Sequence, residues 1–342
     1  MALGPTASGL SSMKSPFPES SSRPGDGRVV ARRHPNGTTT LESITYQYPL
    51  KLVSPTSSAR ESALVFLLSY GGGLVGGDEV KLDVDVLSGA RLSIVTQGHT
   101  KIFNSLTPDI VTRQSLTVNI CGDAAFCLLP DPVQPFEDSV YEQTQVFRVD
   151  EDASACLLDW VTQGRTARGE NWSFTSWKGR NEVWRMAGDH GPSPKDKLLV
   201  RDTVVLSGED SLPLGKPLKD TMHQLGVFGT MILRGGLMKP LGDFFLSEFA
   251  ALPRIGARDF RTAEAKAQED GNVSEPASWR LQRLESEKKG KILWSAANVR
   301  GCVVVKFGAA TVEGGRMWIR SMLDREGSVS EVFGDQALIC LH

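Results

Sequence analysis

Cysteine, histidine and charge of one sign are all in short supply in this chain. The five cysteines, Cys121, Cys127, Cys156, Cys302 and Cys340, are widely spaced and form no C-x-x-C. Neither a disulfide framework nor a structural zinc site is indicated. Reduced thiols fit a cytoplasmic location. The five histidines, His34, His99, His190, His223 and His342, are equally scattered. Such isolated spacing favours surface or satisfied core positions over metal ligation. No G-x-S-x-G and no H-E-x-x-H is present, so the usual hydrolase elbow and zinc-protease helix are absent. With 38 Lys+Arg against 40 Asp+Glu, nothing attracts nucleic acid or an anionic membrane surface. No apolar run approaches the ~20 residues that span a bilayer. Readable repeats are also missing. Residues 1–28 are rich in Ser, Pro and Gly without an apolar or Arg-rich leader pattern, and are expected to be a disordered tail.

What the chain does have is glycine (34), proline (18) and period-two hydrophobicity. Ala63 to Tyr70 is an apolar run. Gly71, Gly72, Gly73, Gly76 and Gly77 then precede Asp78. Val80, Leu82, Val84 and Val86 alternate with Lys81, Asp83 and Asp85, the signature of a half-buried strand. Gly71, Gly73 and Gly76 fit G-x-G-x-x-G, but the third glycine leads into a strand and opens no helix that could hold a pyrophosphate. The plain reading is a tight turn between antiparallel strands with φ > 0 at several positions, Gly72, Gly73, Gly76 and Gly77 being its structural glycines.

Further strands are expected at Val29 to Asn36, Thr38 to Pro49, Ser115 to Ile120, Tyr141 to Val149, Asn181 to Arg185, Lys197 to Leu206, Val227 to Arg234 and Cys302 to Phe307. In Tyr141, Gln143, Gln145, Phe147 and Val149 half of one register is polar, so one face there is expected to be wet. Three prolines in Leu129-Pro130-Asp131-Pro132-Val133-Gln134-Pro135-Phe136 forbid helix and central strand. Asp243 is placed to cap a helix over Phe244 to Ala251, and Trp279 to Lys288 reads as a marginal surface helix. Residues 258–290 otherwise read as a surface loop or insertion. The sum is a mainly β chain: residues 29–342 form one large domain, chiefly antiparallel or mixed, with two or three short helices.

Six charges sit inside otherwise apolar segments: Asp78, Lys101, Asp159, Arg165, Arg168 and Glu170. Burying an unpaired charge is costly. Pairing of Asp159 with Arg165 or Arg168, and a hydrated interior, answer that cost equally well. One enzymatic alternative is a β-rich hydrolase with Asp159 and Glu170 as acid and base, which requires their carboxyls about 5–9.5 Å apart across an open cleft.

Three motifs resemble one family. Gly72-Gly73-Leu74-Val75-Gly76-Gly77-Asp78, with one glycine more than the usual spacing, is followed by Thr96-Gln97-Gly98-His99-Thr100-Lys101-Ile102-Phe103. Leu129 to Phe136 is similar to Leu-Pro-x-Pro-x-x-Pro-Phe. Asp159-Trp160 with Gly164-Arg165-Thr166-Ala167-Arg168-Gly169-Glu170 is similar to a Gly-Arg-x-Ala-x-Gly-Glu block. In this order they resemble the urease accessory proteins of the UreD (UreH) type, over roughly Val29 to Leu252. The resemblance implies a two-layered, solenoid-like β body that is not an enzyme. It implies binding to a UreF-type partner, through it to a UreG-type GTPase, and to apo-urease. No tightly held cofactor is expected, only nickel in transit along an internal hydrated passage. Asp78, His99, Lys101, Asp159, Arg165, Arg168 and Glu170 are then candidates for that passage or for a partner surface, with the metal ligands unassigned.

Overall fold

A computed structural model describes residues 23–55, 61–187, 195–208, 216–252 and 275–342. The chain begins in one sheet with β1 (Asp26–Arg33) and β2 (Thr39–Tyr46), then crosses to a second sheet as β3 (Leu50–Val53) and β4 (Ala63–Ser69). From there it alternates. β5 (Glu79–Val86) joins the first sheet and β6 (Arg91–Val95) the second. After the short β7 (Thr100–Ile102), β8 (Thr112–Ile120) returns to the first and β9 (Ala125–Leu128) to the second. After β10 (Val133–Pro135), β11 (Val140–Val149) and β12 (Ser154–Thr162) repeat the crossing. β13 (Ser176–Arg185) and β14 (Lys197–Ser207) complete the first sheet, in the order β14-β13-β11-β8-β5-β1-β2. A single turn, α1 (Leu218–Thr221), precedes β15 (Val227–Arg234) and α2 (Lys239–Ala250). Then come α3 (Glu275–Gly290), β16 (Leu293–Val299), β17 (Cys302–Ala309), α4 (Val312–Glu326) and α5 (Ser328–Phe333). The second sheet runs β16-β17-β15-β12-β9-β6-β4-β3.

Because consecutive strands go to opposite sheets, neighbours within a sheet run in the same direction. β5 pairs parallel with β1 and β8, β8 with β11, and β11 with β13, and the second sheet repeats this through β4, β6, β9 and β12. The chain is mainly β as its periodicity indicates, but the pairing is mixed, with parallel centres and antiparallel flanks. Parallel pairing ordinarily needs a long crossover; here a strand of the facing sheet serves as the crossover. Alternation of residues reports which face is buried and says nothing of a neighbour's direction. The glycine turn before Asp78 is accordingly a bridge from sheet to sheet and not a hairpin.

The sheets pack face to face. Val80, Leu82, Val84 and Val86, the alternating set of β5, are all buried. They meet Leu92 and Ile94 of β6, Phe126 of β9 and Leu157 of β12 in one core. Outward residues of the second sheet, among them Cys156, Trp160, Met231 and Phe307, pack under α2 and α4 in a second core. The protein therefore has three layers, two sheets and a helical cover, where the sequence reading expected two. α4 presents Trp318, Ile319, Met322 and Leu323 on one stripe. Thr311 caps its N-terminus by accepting from the Gly314 amide at 3.0 Å, and Gly327 ends it in the left-handed conformation.

Three expected boundaries change. β1 opens at Asp26, inside the expected 1–28 tail, of which residues 1–22 lie outside the described residues. Of the expected 258–290 loop, residues 258–274 also lie outside them, and Glu275–Gly290 is α3. α2 starts at Lys239, so Asp243 lies within it and pairs with Lys239 without capping anything.

α3 is no marginal surface helix, because an ion cluster pins it. The Arg283 side chain, 2% exposed, bridges Glu248 of α2 at 3.1 Å and also pairs with Glu287. Glu287 accepts from the indole nitrogens of Trp294 and Trp318, both at 2.9 Å. Arg283→Ala would strip the buried Glu287 of its cation and leave Glu248 with Arg280 alone, a loss of about 3–5 kcal/mol. Urea unfolding should show the midpoint falling accordingly; a shift worth under about 1 kcal/mol would show that the cluster does not hold the cover.

Candidate functional site

The three sequence motifs meet in space. β7, from the histidine motif, pairs parallel with β10, from the proline motif, through Val133↔Thr100, Gln134↔Lys101 and Pro135↔Ile102. β10 touches the end of β12 at Val133↔Val161. Gln134 donates to the Gly164 carbonyl at 3.3 Å. The glycine loop docks on the other side, where the Leu74 amide donates to Lys101 O and the Phe103 amide to Leu74 O, both at 2.9 Å. Gly73 must be glycine for this: a Cβ there would sit 2.4 Å from the Phe103 ring and 2.8 Å from Lys101 O. Of the four expected turn glycines, Gly72 and Gly77 have positive φ, as does Gly71 before them, whereas Gly73 is extended and Gly76 has no positive φ.

Asp131 is the polar centre of this ledge, and the sequence reading missed it. Its Oδ2 accepts from the Gly98 amide at 2.8 Å and from the Thr96 hydroxyl at 3.2 Å, while its own amide donates back to Thr96 Oγ1 at 2.7 Å. Its Oδ1 meets Arg316 of α4 at 2.9 Å. His99 lies beside these charges and shares a hydrogen bond with Gln134; burial, and then Arg316, hold its imidazole below the usual range against the pull of Asp131. His99, Thr96, Ser69, Leu74, Val80 and Gln114 are among the lining of an open hollow of about 80 Å³ between the sheets.

The other candidates divide. Asp78 closes its own turn by accepting from the Val75 amide at 2.9 Å. Lys101 and Arg168 are exposed. Arg165 pairs with Glu170, whose Oε2 also accepts from the Arg165 amide at 2.7 Å, and its guanidinium lies 3.8 Å from the centre of the Phe136 ring. Burial alone would raise the Glu170 carboxyl, but the Arg165 hydrogen bonds outweigh it and the net displacement is downward. Arg165 and Glu170 thus hold the ledge together, and neither reaches Asp159.

Asp159 instead faces the opposite sheet. Gln143 of β11 donates to its Oδ1 at 2.9 Å and Asn181 of β13 to its Oδ2 at 2.7 Å. It belongs to a polar row that crosses both sheets. In the second sheet Asp159, Thr230 and Lys306 stand side by side in register. In the first, Gln145, Asn181 and Asp202 do the same. Thr230 donates to Asp202 at 2.9 Å, and the Lys306 ammonium reaches Asp202 at 2.7 Å and Thr230 at 3.2 Å. Toward the hollow, the Tyr141 hydroxyl is 3.1 Å from Gln143 Oε1 and 3.3 Å from Gln114 Oε1, and its one proton serves either. The row therefore runs from Gln114, at the wall of the hollow beside His99, to Lys306. A small cavity of about 10 Å³, room for one water, opens on it among Gln145, Asp159, Asn181 and Thr230. Burial pushes the Asp159 carboxyl up, the Asn181 and Gln143 amides oppose it, and nearby Asp202 adds to the rise. Burial and the Asp159 charge likewise keep the Tyr141 phenol protonated. The polar half-register Tyr141, Gln143, Gln145 and the carboxylate of Asp159 within an apolar segment were the sequence signals for this row; Asn181, Asp202, Thr230 and Lys306 gave none.

Asp159 is hydrogen-bonded to Gln143 and Asn181 of the facing sheet and Glu170 to Arg165 on the ledge, so the two carboxylates have different partners in different places. The geometry of an acid and base flanking one substrate bond is not formed. Among the described residues no group of three or more His, Cys, Asp or Glu side chains is placed to hold a metal ion. No helix among them is long and apolar enough to cross a membrane.

Comparison with known proteins decides the family. The family model described as UreD urease accessory protein matches residues 23–338. The chain belongs to the UreD family of urease accessory proteins. It is 33% identical over 274 residues to a ureD-like urease accessory protein of Schizosaccharomyces pombe, covering 80% of this chain and 84% of that one. It is 29% identical to urease accessory protein 4 of Cryptococcus neoformans, over 91% of this chain and 93% of the other. A urease accessory protein UreD of Sorangium cellulosum is 40% identical over 161 residues, 47% of this chain and 50% of its own. The family role is thus support of urease, and these relatives are accessory proteins.

Two outcomes follow. In Gly73→Ala the glycine loop should lift from β7, and hydrogen exchange at the Leu74 and Phe103 amides should quicken at least tenfold while the β5 core stays protected; unchanged exchange there would mean that the loop docks without the close approach. Asp159→Asn tests the raised carboxyl. A carboxyl raised in the folded state stabilises the fold least when ionised in both states, so its burden is present at high pH and vanishes below the ordinary carboxylate range near about 4. The variant should raise the urea midpoint at pH 8, with the gain shrinking toward pH 4. A loss at pH 8, or a gain independent of pH, would contradict the assignment.

Proposed function

We propose that this protein is a urease maturation factor. In this reading it binds apo-urease together with a UreF-type partner, which brings in a UreG-type GTPase, and it helps nickel reach the urease active site in the cytoplasm. The polar row between the sheets carries the reading. A net hydrogen bond contributes only about 0.5–1.5 kcal/mol, and replacing both partners by apolar groups is often neutral. A row of amides, carboxylates, a phenol and an ammonium is therefore a poor way to stabilise two packed sheets. It is a good way to keep a hydrated line open between the His99 hollow and Lys306. Its donors are oxygen atoms that give a passing ion weak, exchangeable contacts in place of a cage. Nickel is cargo in this account, not a resident cofactor, and His99 stands where the line opens.

The test is to co-express apo-urease and its other accessory proteins with and without this chain, then measure urease activity and nickel content. Both should collapse without the chain. Glu170→Gln should weaken the ledge and leave the line intact, so nickel content should fall less than with Asp159→Leu. Full activation without the chain would overturn the proposal.

A further inference from the structure

The inner end of the polar row has more acceptors than donors. Asp159 and Asp202 bring two carboxylates, and Thr230 brings a hydroxyl oxygen. Gln145, only 6% exposed, lines the same small cavity, and its Oε1 has no hydrogen-bond partner. A buried carbonyl oxygen without a donor is unfavourable, so it marks a place for something positive or protic. The only cation in the row is Lys306. Its ammonium holds Asp202 and Thr230 and lies 5.6 Å from the centre of the Phe228 ring, yet 38% of the side chain is exposed. A lysine is a point charge on a flexible stem, and a partly exposed one can leave without unpacking the core.

We propose that Asp159, Asp202, Thr230 and the Gln145 carbonyl form a binding site for one divalent cation, and that the Lys306 ammonium is the internal counter-ion which that cation displaces. Two carboxylates facing one ammonium leave one negative charge in excess; a dication with Lys306 swung out cancels it. The donors are all oxygen, so the site is hard and of modest affinity, suited to Mg²⁺ or Mn²⁺ and to transient nickel rather than to tight soft-metal capture. Lys306 thereby sets a threshold: an ion enters only by outcompeting a tethered cation. The site rests on the nickel-transfer reading for its biological use alone, and its existence is tested separately.

Calorimetric titration of the full chain with Ni²⁺ and with Mn²⁺ is the experiment. Lys306→Met should bind at least tenfold more tightly than the unchanged protein, and Lys306→Arg, which keeps the cation, should not. Adding Asp159→Asn and Asp202→Asn to Lys306→Met should abolish the gain. Mn²⁺ should selectively broaden the amide resonances of Asp159 and Thr230. Circular dichroism identifies any variant that fails to fold; Lys306→Gln then replaces Lys306→Met. The proposal is overturned if Lys306→Met binds no more tightly, if the tightening survives loss of both carboxylates, or if broadening falls elsewhere. The two readings fail separately: tight binding by Lys306→Met with a dispensable chain sinks nickel transfer and keeps the site, whereas an indispensable chain without tightening does the reverse.

Discussion

Two sheets packed face to face exclude bulk water from between them, so every polar group placed there must be answered by another or by an enclosed water. This constraint organises the molecule. Over most of the interface it is met by leaving polar groups out: the inward residues of β5, β6 and β9 are Val, Leu, Ile and Phe. Toward β11 to β15 it is met by pairing across the gap, amide to carboxylate and hydroxyl or ammonium to carboxylate. The alternating winding makes this possible. Sending consecutive strands to opposite sheets sets β11 and β13 against β12, and β14 against β15 and β17, so that residues distant in sequence share one row.

The helical cover performs a separate task. It closes the outer face of the second sheet with an aromatic core and seats a buried cluster of charges on Arg283, Glu248 and Glu287. It also supplies Arg316, which reaches down to Asp131 and ties the cover to the ledge where the sequence motifs converge. The ledge is thereby braced from three sides: glycine loop, proline strand and α4. Arg165 and Glu170, which read in sequence as functional charges, brace it further.

Strand faces, the glycine loop and the family were legible in the sequence because each rests on local pattern: period two, positive φ, motif order. Asp78 is a turn acceptor and Arg165 with Glu170 a clamp, roles that motif membership alone could not separate from function. Strand direction was not legible, because residue alternation does not encode it. The pairing of Asp159 with Gln143 and Asn181 was hidden for the same reason, since it depends on which strands the winding sets opposite each other. Lys306 sits in a plain apolar strand, Val303-Val304-Val305-Lys306-Phe307, and only Asp202 across the gap gives it meaning. α3 looked marginal because its charges were read as solvated, when Arg283 is buried against Glu248 and Glu287.

The central claim is that the polar row between the sheets exists to pass an ion and not to hold the sheets together. Asn181→Leu tests it most directly, because it fills the row with an apolar side chain of similar volume while the strand around it is kept. The measurement is the nickel content of urease matured with this variant, alongside its urea midpoint and its retention of partners in pull-down. The account predicts a fold that stays cooperative but loses about 1–3 kcal/mol because one Asp159 oxygen is left without its donor, together with unchanged partner retention and a several-fold loss of nickel. Undiminished nickel loading by a folded, partner-bound variant would contradict it.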